Sequence, residues 1–336
     1  MSTHKLVCDG RLCVAKNASC NPTGVDCLES FSAGIAAKDY PALTPTLWNT
    51  VYEALGLKTR NIRLIGEPED VDVLFSTLKR DPGYIGGDVG VGFKNVAWQY
   101  MDGIDPLARD MQAINVVVKE DGSLIGYNTD GLGFVDGIRD LLGARNEHLA
   151  GKTVMILGGG GTANAIAFAL AQAKANLIIL NRTVEKAEKL AKQINWRFQK
   201  RPAVFGSREQ IAINALKADI VVSVIDDPHS PLDQYSALGV IELPATKENL
   251  AKNAADAARV MAKMKPETIV CDVMLREKET ATLRLAREVG FQTQNGRPMV
   301  LNQAIEAFWL VNQAELKRRK VTKKEITRIM TEISNQ

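Results

Sequence analysis

The 336-residue sequence has no apolar run long enough to span a bilayer and no signal peptide at its head. We therefore expect a cytoplasmic protein with no membrane partner. A charge excess is also lacking: 42 lysines and arginines oppose 39 aspartates and glutamates, a formal net charge of +3. General nucleic-acid binders carry a strong basic excess, so we expect no nucleic-acid partner. The one basic cluster, 317–324 (KRRKVTKK), is predicted to be a solvated helix face.

Residues that bind metals are scarce and poorly spaced. The chain has three histidines and five cysteines. Four of the cysteines lie in the first 27 residues, separated by four, six and six residues: Cys8, Cys13, Cys20 and Cys27. These intervals contain no CxxC zinc pattern, so the sequence predicts no metal site. In a cytoplasmic protein we expect reduced thiols on an N-terminal hairpin or strand.

The strongest positive signal is a βαβ pattern that begins at residue 153. The apolar run 153–157 is typical of a strand buried on both faces of a parallel sheet. Four glycines follow, then a helical segment to about residue 173 and a second apolar strand, 176–180. A glycine-rich turn at this place holds a dinucleotide pyrophosphate against backbone N–H groups. The predicted cofactor-binding residues in the turn are Gly158, Gly159, Gly160, Gly161, Thr162 and Ala163.

The end of the second strand predicts NADP as the cofactor. Enzymes that prefer NAD usually place an acid there, which holds the ribose 2′-hydroxyl. This chain instead has Asn181, Arg182 and Thr183, with Lys186 one helical turn further on. The guanidinium of Arg182 suits a phosphate, and Lys186 adds a second positive charge. Asn181 and Thr183 are also candidates to cap the following helix.

The length of the chain suggests two domains, and strands and helices alternate along both halves. The pattern predicts two α/β domains, a Rossmann-type dinucleotide-binding domain and an α/β substrate domain, with a ligand cleft between them. Predicted strands are 61–65, 84–91, 114–118, 124–127, 219–225 and 268–274, with a hairpin turn at Asp121-Gly122. Predicted helices are 45–57, 71–78, 132–142, 250–265 and 281–289, with a C-terminal helical region from 303.

Several segments together resemble the shikimate/quinate dehydrogenase family. The most specific is Tyr127-Asn128-Thr129-Asp130-Gly131, followed at the family's separation by Asn181-Arg182-Thr183. Other segments agree in order: 105–108 (DPLA), 112–115 (QAIN), the 158–163 turn and 296–303 (GRPMVLNQ). The resemblance covers roughly residues 30–313 and implies an NADP-dependent dehydrogenase that interconverts a ring secondary alcohol and a ketone, of the shikimate or quinate type.

The resemblance also implies roles for individual residues. A lysine that closes the family pattern NVTxPxK falls on Lys94, and the family aspartate falls on Asp130. As the catalytic pair, Lys94 would take the hydroxyl proton while Asp130 holds the substrate and the lysine. The predicted substrate-binding residues are Thr44, Asp88, Asn115 and Gln303. Met299, in the GRPMVLNQ segment, is predicted to contact the cofactor, and residues 1–131 with 296–336 form the substrate domain, with 132–295 as the NADP domain.

The same comparison exposes departures at the position of the substrate carboxylate. The family begins this site with two hydroxyl residues, but the chain has Ala42 at one of them and Thr44 at the other. In the lysine segment, Asp88 replaces the family asparagine and Gly90 the family threonine. A carboxylate near a bound carboxylate would repel it. An apparent insertion also lies between residues 238 and 265.

The departures leave three functions open. The first is a dehydrogenase for a polyhydroxylated ring acid. The second keeps fold and cofactor but acts on a less acidic or uncharged cyclic polyol. The third is a non-catalytic NADP-binding regulatory protein, which the presence of both Lys94 and Asp130 disfavours. A small-molecule substrate is expected in the first two, and the protein is expected to be a monomer or a homodimer.

Overall fold

The computed structural model describes residues 30–37, 42–67, 69, 71–199, 203–225, 234–275 and 278–334, and the backbone at 7–8 and 11–12. The chain divides into two compact units: a first unit of Met1–Thr129 with Leu301–Gln336, and a second unit of Asp130–Val300. The predicted boundaries of the inserted segment, 132 and 295, lie within five residues of these. The assignment of substrate to the first unit and cofactor to the second stays a prediction.

The elements are numbered in chain order. The strands are β1 Val7–Cys8, β2 Arg11–Leu12, β3 Ser30–Ala36, β4 Thr59–Ile65, β5 Gly86–Asp88, β6 Gly103–Ile104, β7 Val116–Glu120, β8 Ser123–Tyr127, β9 Thr153–Leu157, β10 Asn176–Leu180, β11 Ala203–Gly206, β12 Ile220–Ser223, β13 Ile269–Asp272 and β14 Gln292–Gln294. The helices are α1 Thr44–Ala54, α2 Val71–Arg80, α3 Pro106–Met111, α4 Asp130–Gly143, α5 Gly161–Gln172, α6 Val184–Phe198, α7 Ile211–Ala215, α8 Lys247–Met261, α9 Ala281–Val289, α10 Arg297–Arg318 and α11 Lys323–Ser334.

The first unit is built on mixed β-structure. Strands β5, β7, β8 and β6 form one sheet in that order, and β3 pairs in parallel with β4. Two isolated bridges, Phe31 to Tyr84 and Ile35 to Val89, link β3 to the segment that contains β5. The predicted hairpin is confirmed: β7 and β8 are antiparallel, and Asp121 and Gly122 have φ of +48° and +78°. Positive φ at both turn residues is what a type I′ turn requires.

The first unit has two apolar clusters. Phe31, Ala33 and Ile35 point into an apolar cluster that includes α2. A second cluster joins α1, α10 and α11, with Trp48 and Phe308 packed edge to face at a centroid distance of 5.4 Å. Burial of these large apolar side chains is the main stabilising contribution of such cores.

The second unit contains a six-stranded parallel sheet in the order β11, β10, β9, β12, β13, β14. Counted within the unit this is 3-2-1-4-5-6, the strand order of doubly wound dinucleotide-binding folds. Val154, Met155 and Ile156 of the central strand β9 are all fully buried, as predicted for a strand covered on both faces. The order reverses beside β9, and ligands of open α/β sheets bind at the carboxyl ends of the strands there.

Three details differ from the sequence predictions or extend them. Strand β3 was not predicted. The basic cluster at 317–324 is not one helix face, because α10 ends at Arg318, Lys320 has φ +58°, and α11 begins at Lys323. Cys8 lies on β1, which pairs antiparallel with β2; the predictions for Cys13, Cys20 and Cys27 fall outside the described residues.

The described part of the chain lacks two kinds of feature. No helix there is long and apolar enough to cross a membrane. No group of three or more His, Cys, Asp or Glu side chains among those residues is arranged to hold a metal ion.

Candidate active site

The glycine-rich turn connects β9 to α5 in a conformation that depends on its glycines. Gly158 has φ +139°, and a Cβ added there would lie 2.8 Å from the carbonyl oxygen of Val224. Gly160 is the N-cap of α5, and this cap residue supplies no side chain to the first turn of the helix. The N-terminal N–H groups of a helix have no partners within the helix and carry its partial positive charge. The turn therefore offers donors to an anion such as a pyrophosphate.

A pocket of about 430 Å³ opens at this turn and unites most of the predicted cofactor residues. The predicted residues that line it are Gly158, Gly159, Gly160, Gly161, Thr162, Ala163, Asn181 and Arg182. Three predicted cofactor residues do not line it: Thr183, Lys186 and Met299. Met299 is buried within the first turn of α10. Lys186 nonetheless lies close to the glycine-rich turn, because a Cβ added at Gly159 would lie 3.2 Å from the Cβ of Lys186.

The start of α6 corrects the predicted helix cap. Thr183 is the N-cap residue, but its side chain makes no capping hydrogen bond. Asn181 does not cap the helix either; its Nδ2 donates to the carbonyl oxygen of Thr183 at 2.9 Å. This bond ties Asn181 to the turn beside Arg182, which is solvent-exposed and lines the pocket.

Arg208 also lines the pocket at the glycine-rich turn and was not predicted. It lies two residues beyond β11, in a short 3-10 turn of residues Arg208–Gln210. The sequence around it carries no motif. The only available signal is its position after a strand, and its neighbours follow from the strand order of the sheet.

In the first unit, two predicted substrate-binding residues meet directly. Asn115 donates from Nδ2 to Oε1 of Gln303 at 2.8 Å, although 187 residues lie between them. Thr129 joins the same network: its backbone N–H donates to Oδ1 of Asn115 at 2.7 Å, and its hydroxyl donates to the carbonyl oxygen of Gln303 at 3.2 Å. Asn115 is 3% exposed. Buried amides bonded in this way hold fixed orientations.

The backbone of each predicted catalytic residue adjoins a residue of this network or its chain neighbour. Asp130 follows Thr129 directly, is 5% exposed and begins α4. The carbonyl oxygen of Lys94 accepts a hydrogen bond from the N–H of Ile114, the residue before Asn115, at 3.1 Å. Lys94 itself is half-buried. Thr44, at the first position of α1, is 8% exposed.

Asp88 ends β5 and is half-buried, with Oδ1 of its carboxylate enclosed. Its carboxylate packs over Gly34, where an added Cβ would lie 3.0 Å from Oδ1. That oxygen is buried and has no hydrogen-bond partner among the described residues. Burial raises the pKa of Asp88 to about 6, although its own backbone N–H, Lys94, Arg63 and Asn61 oppose the shift. The carboxylate that replaces the family asparagine is therefore costly to ionise.

Because the pKa of Asp88 is raised, ionisation of this group destabilises the fold. The native state holds the proton more tightly, so stability falls as pH rises from about 3.8 to about 6. A shift of this size corresponds to about 3 kcal/mol at most.

We expect Asp88→Asn to raise the free energy of unfolding at about pH 8 relative to the unmodified protein, and much less at about pH 4. Urea unfolding at both pH values measures this; Asp121→Asn, on the exposed hairpin turn, is the matched control. An Asp88→Asn effect that is equal at both pH values would contradict the buried-carboxylate assignment.

Comparison with known proteins identifies the chain. Residues 38–117 match the family described as shikimate dehydrogenase substrate binding domain, and residues 140–238 match shikimate / quinate 5-dehydrogenase. Shikimate dehydrogenase (NADP(+)) of Bacillus cereus strain B4264 is 33% identical over 282 residues, which cover 83% of this chain and 92% of that protein. The chain belongs to the shikimate/quinate dehydrogenase family.

Two further similar proteins belong to the same family. Shikimate dehydrogenase (NADP(+)) of Methanocaldococcus jannaschii is 31% identical over 267 residues, 80% of this chain and 86% of that protein. The crystal structure of shikimate 5-dehydrogenase from Listeria monocytogenes in complex with shikimate and NAD is 25% identical and has a TM-score of 0.71. It covers 86% of this chain and 96% of its own. The predicted α/β class with a Rossmann-type unit is confirmed.

One departure of this dehydrogenase from the family pattern is structural. The position of the proline in NVTxPxK is Gly92, which has φ +91°. A proline is fixed near φ −65° and cannot adopt this backbone. A Cβ at Gly92 would also lie 2.3 Å from the Cβ of Ala37. The loop before Lys94 therefore has a backbone conformation at Gly92 that a proline at this position could not adopt.

Proposed function

We propose that this dehydrogenase interconverts a secondary alcohol and a ketone on a hydroxylated ring acid of the shikimate or quinate type, with NADP as cofactor. The family membership and the names of the curated relatives, shikimate dehydrogenase (NADP(+)), support the reaction and the cofactor. Lys94 and Asp130 are the proposed catalytic residues, and Thr44, Asp88, Asn115 and Gln303 the proposed substrate-binding residues.

The observation that carries the proposal is the bond between Asn115 and Gln303. Asn115 and Gln303 are the two residues expected to bind ring hydroxyls, and Nδ2 of Asn115 lies 2.8 Å from Oε1 of Gln303. Thr129, the residue that precedes Asp130, is hydrogen-bonded to both. Preorganised polar groups of this kind orient a substrate at little entropic cost.

We propose that the cofactor binds in the pocket at the glycine-rich turn. The turn and the N-terminus of α5 would hold the pyrophosphate, while Arg182 and Lys186 would hold the 2′-phosphate. A nicotinamide cofactor held there would supply the hydride acceptor for the carbinol carbon. The described lining of the pocket contains two arginines and no carboxylate, which favours an anionic ligand.

The proposed roles of the catalytic residues follow from the proton that must leave the alcohol. As the hydride leaves the carbon, the O–H proton passes to the amine of Lys94, which returns it in the reverse reaction. Asp130 accepts a hydrogen bond from a substrate hydroxyl and keeps the lysine oriented. Burial of Asp130 to 5% exposure supports this role, because burial restricts its rotamers.

A second candidate substrate is a less acidic or uncharged cyclic polyol. Asp88 favours this second candidate. Asp88 interacts electrostatically with Lys94, so the charge of Asp88 would repel a substrate carboxylate bound near Lys94. Ala42 and Gly90 lack the family hydroxyls that bind such a carboxylate.

The test is the initial rate of NADPH formation with shikimate, quinate and uncharged cyclic polyols. Turnover of a ring acid supports the main proposal. Turnover of polyols alone supports the second candidate. Tight NADP binding without turnover of any ring alcohol would instead indicate the non-catalytic regulator.

We expect Arg182→Ala to raise the apparent KM for NADP by roughly 10- to 100-fold, because one charge-assisted phosphate contact is lost. The apparent KM for NAD should change far less, since NAD has no 2′-phosphate. Initial-rate kinetics with both cofactors measures this. Arg284→Ala, an exposed arginine of α9, is the matched control. Equal use of NAD and NADP by the unmodified protein would refute the role given to Arg182.

A further inference from the structure

A second pocket of about 510 Å³ lies beside the cofactor pocket in the second unit. Among the described residues, Arg182 and Arg208 are the two that line both pockets. The remainder of the second pocket comes from α7, from residues 238–241 and from α8, with Glu209 just before α7 and Lys263 just beyond α8. The family match over 140–238 stops before α8, so this wall belongs to a segment outside that match.

Arg208 is placed next to Arg182 by the register of the sheet. Leu180 of β10 pairs in parallel with Gly206 of β11. The pairing continues one step, because the N–H of Asn181 donates to the carbonyl oxygen of Gly206 at 3.2 Å. Adjacent strands lie about 4.8 Å apart. Arg182 and Arg208 therefore leave the carboxyl edge of the sheet side by side, each two residues beyond a paired position.

The guanidinium of Arg208 is held in place more firmly than an exposed side chain would be. It is half-buried, and its Nη2 donates to the carbonyl oxygen of Ala237 at 3.2 Å. A guanidinium carries five N–H donors, so this bond is compatible with a phosphate contact. The acidic residues nearby belong to the second pocket: Asp256 pairs with Arg259 at 2.8 Å, and Glu209 is exposed.

We propose that Arg208 binds the 2′-phosphate of NADP together with Arg182, and so is a third determinant of cofactor specificity. This inference rests on the proposed NADP role of the pocket. A phosphate between two strand ends can accept hydrogen bonds from both guanidinium groups, and an anchored guanidinium loses less entropy on binding. The competing explanation is that Arg208 only ties β11 to the loop at Ala237.

Binding of two nucleotides without nicotinamide separates these explanations. Adenosine 2′,5′-bisphosphate carries the 2′-phosphate and 5′-AMP lacks it; calorimetry measures both. Arg208→Gln removes the charge but keeps an amide donor for Ala237. We expect it to weaken binding of the bisphosphate roughly 10-fold, with 5′-AMP nearly unchanged. Arg208→Lys, which keeps the charge, should retain most of the affinity.

Lys263→Gln is the matched control, because Lys263 lines the second pocket but not the first. It removes the same charge and should leave both nucleotides unaffected. Equal weakening of both nucleotides by Arg208→Gln, or no weakening, would overturn the proposal. If the unmodified protein itself fails to distinguish the two nucleotides, the proposed 2′-phosphate site is wrong as a whole, including Arg182. If it distinguishes them and Arg208→Gln does so equally well, only the role of Arg208 falls.

Discussion

Lys94→Ala and Asp130→Asn should each lower kcat by roughly 10²- to 10⁴-fold, the scale of a lost proton-transfer group. In the proposed mechanism the amine of Lys94 accepts the hydroxyl proton as the hydride leaves, and alanine removes that acceptor. Asparagine at 130 keeps the shape of the aspartate but removes the charge proposed to orient substrate and lysine. The double variant should be little slower than either single variant, because residues of one catalytic unit are not additive. Steady-state rates on the best ring alcohol measure all three.

The control for these variants is cofactor affinity, which should survive because the turn at Gly158–Gly161 is untouched. Lys324→Ala, an exposed lysine of α11, provides the matched change of charge and should leave kcat unaltered. Additive losses in the double variant would show that Lys94 and Asp130 do not act as a unit. A kcat within threefold or so of the unmodified value for either single variant would remove that residue from the proposed mechanism.

Gly131→Ala should destabilise the protein strongly. Gly131, the glycine that follows Asp130 in α4, lies against α5: an added Cβ would be 2.1 Å from the carbonyl oxygen of Ala165. No real Cβ contact is that short, and the clashing atom is backbone, so the two helices must separate. Overpacking of this kind costs about 1–3 kcal/mol, and we expect about 3 kcal/mol here. Urea unfolding measures the difference.

Gly143→Ala is the matched control for Gly131→Ala. Gly143 ends the same helix, and a Cβ added there would meet no atom within 4 Å. Alanine at an exposed helical site is favoured over glycine by roughly 0.5–1 kcal/mol, so this variant should be neutral or slightly stabilised. Similar unfolding free energies for the two variants would show that α4 and α5 do not need the glycine.

The sequence predicted the elements whose patterns are strong and local. The apolar strand at 153–157, the four glycines and the second strand at 176–180 are all observed within a residue or so. The sequence also predicted the hairpin at Asp121-Gly122, because both residues tolerate positive φ. Asn115 and Gln303 were predicted as substrate-binding residues only from the family segments, because no local sequence pattern marks them as functional.

Other features depend on neighbours that only the fold supplies. Strand β3 (SFSAGIA) has small and polar residues where a strand usually has branched ones, and its identity comes from pairing with β4 and from its bridges to Tyr84 and Val89. Arg208 lines the pocket at the glycine-rich turn only because β11 lies next to β10. The raised pKa of Asp88 likewise follows from burial over Gly34, which the sequence does not reveal.

The most direct test of the proposed active site is a crystal structure of the protein with NADP+ and a ring acid such as shikimate. The proposal predicts that Nζ of Lys94 and a carboxylate oxygen of Asp130 both lie within about 3.2 Å of hydroxyls of the bound ring, with Asn115 and Gln303 on its other hydroxyls. A ring bound out of reach of Lys94 and Asp130 would contradict it.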